Sequence, residues 1–165
     1  MILPIPLYII GLVQLLIISW IDLKTQKISN WWGLVNLIVF ISALFIFPLS
    51  YTLSLQILIY PLAFIVIGFP LFLLGIMGAG DSKYLAGLFL IIPVGLQFSF
   101  FMNLVGSTVS CALILLMIRV IRNYKLVLGV FRTHEWSGLK QLKGSRFSYA
   151  PVILLAWLWL ATEVF

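Results

Sequence analysis

Acidic side chains are scarce in this chain: Asp22, Asp81, Glu135 and Glu163 are the four among 165 residues. Charge of either sign is thin, at 8% of the sequence against roughly 25% in soluble domains. Apolar residues rise to 64%, where roughly 45–50% is ordinary. That balance excludes a soluble globular domain and predicts an integral membrane protein. Cysteine is nearly absent too, and the lone Cys111, set in an apolar run, excludes an intrachain disulfide or a cysteine-rich metal site. The single histidine, His134, lies beside Glu135 with no other ligand nearby in sequence and reads as a surface residue. Lipid is as apolar as leucine, so the tertiary fold must rest on close packing and polar contacts.

What is present is a series of apolar runs, at about 4–21, 31–48, 53–76, 82–97, 98–118 and 148–165. A spanning helix needs about 20 such residues. The expected fold class is therefore all-α, a bundle of about six transmembrane helices in one domain over 1–165. Pro48, Ser50 and Thr52 divide the second run from the third, and Pro93 with Gly95 divides the fourth from the fifth. The first run leads into Asp22 and Lys24 with no basic segment before it and no small-residue cleavage site, which reads as a retained anchor.

The ten basic residues orient these runs. Lys24 and Lys27 follow the first, Lys83 opens the fourth, and Arg119, Arg122, Lys125, Arg132, Lys140, Lys143 and Arg146 separate the fifth from the sixth. Six alternating crossings put all ten on one side and leave the opposite connections uncharged. Both termini are then expected outside the cytoplasm, with Asp22 and Asp81 at the cytoplasmic face. The basic 119–147 loop, with Val127, Phe131 and Trp136 interleaved, reads first as an anchor on anionic headgroups and second as a docking surface. Nucleic acid is not an expected partner, because topology accounts for the charge bias. The six tryptophans, Trp20, Trp31, Trp32, Trp136, Trp157 and Trp159, read as interfacial belts.

A carboxylate at a membrane's edge is costly and calls for a reason. Asp22 alone reads as readily as an interfacial residue, and Asp81, after Gly78-Ala79-Gly80, as readily as a helix N-cap. Taken together they say more. A helical hairpin fills the stretch between them, so the first run ends and the fourth begins on one side, and the two carboxylates can converge. Close carboxylates do not both ionise easily and share a proton. One member can then activate water while the other protonates a carbonyl or a leaving amine, as in an aspartic protease. Gly78 and Gly80 permit close approach of another chain.

Three segments carry a resemblance. Asp22 to Asn30 resembles the Asp-x5-Ile-x-Asn segment of type IV prepilin peptidases, Gly78 to Lys83 their Gly-x-Gly-Asp-x-Lys motif, and Tyr149-Ala150-Pro151 the end of their Pro-Tyr-Ala-Pro segment. Ser29 and Ser148 stand where the family often has proline. The long members' Cys-x-x-Cys insertion and methyltransferase region are absent, so the chain resembles the short branch serving Flp/Tad-type pili. The presenilin-like proteases that share Gly-x-Gly-Asp also need a Pro-Ala-Leu motif, which this sequence lacks. The resemblance implies a cofactor-free, metal-free endopeptidase of the bacterial inner membrane. Its partner would be a prepilin or pseudopilin precursor that loses a short basic leader, with Asp22 and Asp81 catalytic. Gly78, Gly80, Lys83 and Asn30 would be supporting residues, although Lys83 reads equally as an interface anchor and Asn30 as a cap. Two rivals stand beside this reading: an ion-coupled transporter using the aspartates as a relay, and a non-catalytic subunit of a pilus or secretion assembly.

Overall fold

The computed structural model describes residues 3–51, 53–74, 77–124 and 148–164. Uninterrupted apolar runs become helices, and proline punctuates them. Helix α1 (Ile5–Thr25) starts after Pro4, whose carbonyl accepts from the Leu7 and Tyr8 amides at 3.0 and 3.1 Å. It ends at Gln26, which adopts the left-handed conformation at φ 52° and donates its N–H to the Asp22 carbonyl at 2.8 Å. A short link leads to α2 (Trp31–Ile46). A 3₁₀ turn (Leu55–Leu58) runs into α3 (Ile59–Leu73), and α4 (Ala79–Ile91), α5 (Val94–Arg122) and α6 (Ala150–Val164) complete the order. The described residues thus form six α-helices and no strand, the expected all-α class.

Three segments are long and apolar enough to cross a membrane: α1, the continuous Leu55–Leu73 stretch, and α5. At 29 residues α5 is the longest, and at about 1.5 Å per residue it outruns a hydrocarbon core of roughly 30 Å. Its last turn carries Arg119 and Arg122, where cations favour the helix dipole. The rest of the basic 119–147 loop expected from the sequence, with Lys125, His134, Glu135 and Trp136, lies outside the described residues.

The fourth apolar run, expected over 82–97, is divided differently. Helix α4 already includes Asp81 and stops at Ile91, and α5 begins at Val94. Pro93 sets this boundary. The residue before a proline is steered away from helical angles, and Ile92 is extended at φ −89° and ψ 125°. Pro93 itself then serves as the N-cap residue of α5.

Helix α4 has only 13 residues and ends among apolar side chains, so its last carbonyls need donors from within the protein. Buried Gln97 reaches back from α5, its Nε2 donating to the carbonyls of Phe89 at 2.9 Å and Ile92 at 3.3 Å. The same nitrogen meets the Ile57 carbonyl of the 3₁₀ turn at 3.3 Å. The buried Tyr51 hydroxyl donates to the Ile91 carbonyl.

The helices pair into two groups. Helix α4 packs against α2 and α3, and α6 packs against α1 and α5. Along α6, Ile153, Ala156, Trp157 and Leu160 are fully buried, the spacing of one helical face. Trp157 is therefore a core residue and not part of the interfacial belt expected for it. Its ring stacks on Tyr8 at 5.7 Å, and its Nε1 donates to the Tyr8 carbonyl at 3.2 Å. Gly11 opens the space, since a Cβ there would overlap the indole. Phe100 joins the two groups, edge-on to Phe89 at 5.1 Å and to Trp157 at 5.7 Å. Trp20, Trp31 and Trp159 remain exposed, in an exterior dominated by leucine, isoleucine and phenylalanine.

The capping role of Gln97 is testable. Gln97→Leu keeps the volume and removes the donor to three carbonyls. It should lower unfolding stability in detergent by about 1–3 kcal/mol, measured by thermal melting. An unchanged midpoint would remove Gln97 from this role.

Candidate active site

Asp22 lies in the last turn of α1, where the helix dipole disfavours an anion, and it is only 3% exposed. A buried carboxylate in that position needs compensation. It comes from a segment more than a hundred residues away in sequence. The Ala150 amide, at the first residue of α6, donates to Asp22 Oδ2 at 3.1 Å. The Ser148 hydroxyl donates to the Asp22 main-chain carbonyl at 3.1 Å. Asp22 thus sits at the positive end of α6, held by a main-chain N–H. Pro151 follows without disturbing the arrangement, because its missing N–H falls in the first helical turn.

Asp81 belongs to the other helix group. The sequence allowed it to be the N-cap of the fourth helix. Instead α4 starts three residues earlier, with Gly78 as N-cap at φ −74° and ψ 144°. Asp81 occupies the third helical position and reaches back, its Oδ2 accepting from the Gly78 amide at 3.1 Å. This is the acidic half of a capping box, since glycine has no side chain to complete the other half. Each aspartate is therefore held at a helix N-terminus, Asp22 by α6 and Asp81 by its own α4.

Gly80 brings the groups together. A Cβ at this position would overlap the Ile28 carbonyl oxygen. The link after α1 lies directly against the first turn of α4, which joins the two segments that carry Asp22 and Asp81. Asp81 and Tyr149 open onto one cleft of about 450 Å³, walled by Leu71, Met77 and the α5 residues Thr108, Leu115 and Arg119.

Of the residues singled out from sequence, Asp22, Asp81, Gly78 and Gly80 are gathered at this place. Asn30 and Lys83 are not part of the Asp81 cleft. They line a second cleft of about 420 Å³ with Leu37, Pro61 and Leu90. Asn30 is the N-cap residue of α2 without a capping bond from its side chain, while the Ser29 hydroxyl accepts from the Trp31 amide at 3.4 Å. Glu163 accepts from Asn103 at 3.0 Å near the opposite end of α6 from Ala150. The Ala150 amide, the Ser148 hydroxyl and the Thr108–Tyr149 pair went unread as site elements. Resemblance marked the segment around Tyr149, but a main-chain N–H has no residue-type signature.

These features define an all-helical membrane protein in which two carboxyl groups, Asp22 and Asp81, are each held at a helix N-terminus, on segments joined at Gly80. Residues 9–118, two thirds of the chain, match the model of the type IV leader peptidase family, and the chain belongs to that family. No curated protein and no solved structure matches it. The matched stretch contains Asp22 and Asp81 and ends before the 148–150 segment that holds Asp22.

The close approach at Gly80 makes a direct prediction. Gly80→Ala must push the 26–30 link off α4, at a cost of roughly 1–3 kcal/mol in stability. A lowered thermal midpoint in detergent is expected, and a wild-type midpoint would contradict the close approach.

Proposed function

We propose that this protein is an aspartic endopeptidase that removes the short basic leader from prepilin or pseudopilin precursors. The observation that carries the reading is Asp81 opening onto the cleft while Gly80 seats the link that follows Asp22's helix against the first turn of Asp81's helix. Family membership supports it. Water bound between the carboxylates loses a proton to one of them and attacks the scissile carbonyl carbon. The other carboxyl protonates the carbonyl oxygen. As the tetrahedral intermediate collapses, the C–N bond breaks and the leaving amine takes up a proton. The two ionisations belong to the pair and not to either residue.

The substrate class follows from chemistry at the rim of a membrane. A precursor that is itself an apolar helix with a basic leader presents its cleavage site at the interface. The cleft beside Asp81 is mostly apolar, as such a chain requires. In the six-crossing arrangement both aspartates face the cytoplasm with the ten basic residues. The motif resemblance favours the Flp/Tad-type branch, acting at the bacterial inner membrane without methylating the product.

Purified protein in detergent, incubated with a synthetic prepilin, tests this reading. Asp22→Asn and Asp81→Asn should each slow cleavage by about a thousandfold or more while the protein still inserts and melts normally. Near-normal cleavage by either variant would refute the dyad. The proposed chemistry uses no metal, so EDTA should leave the wild-type rate unchanged, and inhibition reversed by added metal would count against it.

A further inference from the structure

The second cleft, of about 420 Å³, takes no part in the chemistry above. Helices α2 and α3 each pack against α4 and leave a groove between them. Lys83, Ala86, Gly87 and Leu90 line it from α4, and Asn30, Gly33, Leu34 and Leu37 from α2. Both sets follow the i, i+3, i+4, i+7 spacing of one helical face. Glycine keeps the floor low. A Cβ on Gly87 would lie 3.2 Å from the Gly33 carbonyl oxygen, and one on Gly33 would lie 3.3 Å from the Lys83 carbonyl oxygen. Seven residue steps at about 1.5 Å make the groove about 10 Å long. It therefore fits within one leaflet, half of a hydrocarbon core of roughly 30 Å.

The polarity of the groove is one-sided. Asn30 and Lys83 stand together at one end, where α2 begins and α4 enters its second turn. Every side chain beyond them is apolar or absent. Both polar side chains are exposed. Asn30 makes no capping bond, and Lys83 forms no ion pair among the described residues. The nearest acid along α4, Asp81, is engaged with the Gly78 amide. An unpaired cation and a free amide above an apolar trough complement a molecule with an anionic head and a hydrocarbon chain. Basic pockets between membrane helices hold lipid headgroups on these grounds. An apolar helix in the same place would bring nothing to answer the Lys83 charge. A substrate helix would also lie on the wrong face of α4, since residues two apart point about 200° from one another.

We propose that this groove is a binding site for an anionic phospholipid. One acyl chain lies along Gly33, Gly87 and Leu90, and the headgroup phosphate meets Lys83 and Asn30. The site does not depend on the peptidase reading.

The test uses the purified full-length protein in detergent and a trace of phosphatidylglycerol with a photoreactive diazirine in its acyl chain. Labelled positions are read by peptide mass mapping. Labels should concentrate at 34–37 and 58–65. Unlabelled phosphatidylglycerol should displace them at a concentration about fivefold lower than phosphatidylcholine with the same chains. Lys83→Gln should abolish that preference and Lys83→Arg should keep it. Leu37→Trp, which fills the trough, should cut the labelling itself. Labels spread evenly over the exposed faces of α1 and α5, equal displacement by the two lipids, or a preference that survives in Lys83→Gln would each overturn the proposal. Displacement by a synthetic prepilin and not by phosphatidylglycerol would give the groove to the substrate's helix and overturn it. A dimer that shuts the lipid out would give the groove to a second copy, with the same consequence. Should Lys83→Gln fail to fold, the wild-type displacement and Leu37→Trp decide alone: equal displacement or undiminished labelling overturns the site.

Discussion

The bond from the Ala150 amide to the Asp22 carboxylate is the constraint on which the site depends. Asp22 is buried, and it occupies the end of its own helix where a negative charge is least welcome. Without a donor its carboxyl would be a buried acceptor left unsatisfied. The N-terminus of α6 supplies both a hydrogen bond and the positive end of a dipole. That requirement ties the last described helix to the first, and Trp157 seated against Tyr8 and Gly11 continues the same contact along their length.

The second aspartate is placed by a different device. Helix α4 is short, and both of its ends are supplied with hydrogen-bond partners from side chains. Asp81 meets the Gly78 amide at its start, and Gln97 with Tyr51 meets the carbonyls at its finish. A helix finished internally at both ends can sit at a fixed depth without relying on water. Gly80 then lets the link after α1 press against its first turn. The two carboxyl groups are thus carried by separate helix groups, Asp22 buried and Asp81 facing the cleft.

Much of this was legible in the sequence. Apolar runs gave the helices, Pro93 marked a real boundary, and the scarcity of acids pointed to Asp22 and Asp81. The need for glycine at position 80 was readable as close approach, although not what approached. The start of α4 was misplaced because it depends on the extended backbone at Gly78, which no composition signals. Trp157 was read with the other tryptophans because belt and core indoles look alike until Gly11 is seen opposite. Asn30 and Lys83 travel in the same motifs as the aspartates, yet they face another cleft: Lys83 lies two residues from Asp81 on one helix, which turns it to a different side, and Asn30 lies past the end of α1, at the start of α2. The Ala150 amide escaped notice because main-chain donors belong to every residue alike.

The central claim is that Asp22 and Asp81 work as one coupled acid–base unit. The pH dependence of kcat/KM for cleavage of a synthetic prepilin measures this most directly. A shared proton predicts a bell-shaped profile, with activity requiring one carboxyl protonated and the other ionised and falling on both sides as the pair gains or loses a proton. A single ionisation, with activity level on one side across the carboxyl range, would contradict it.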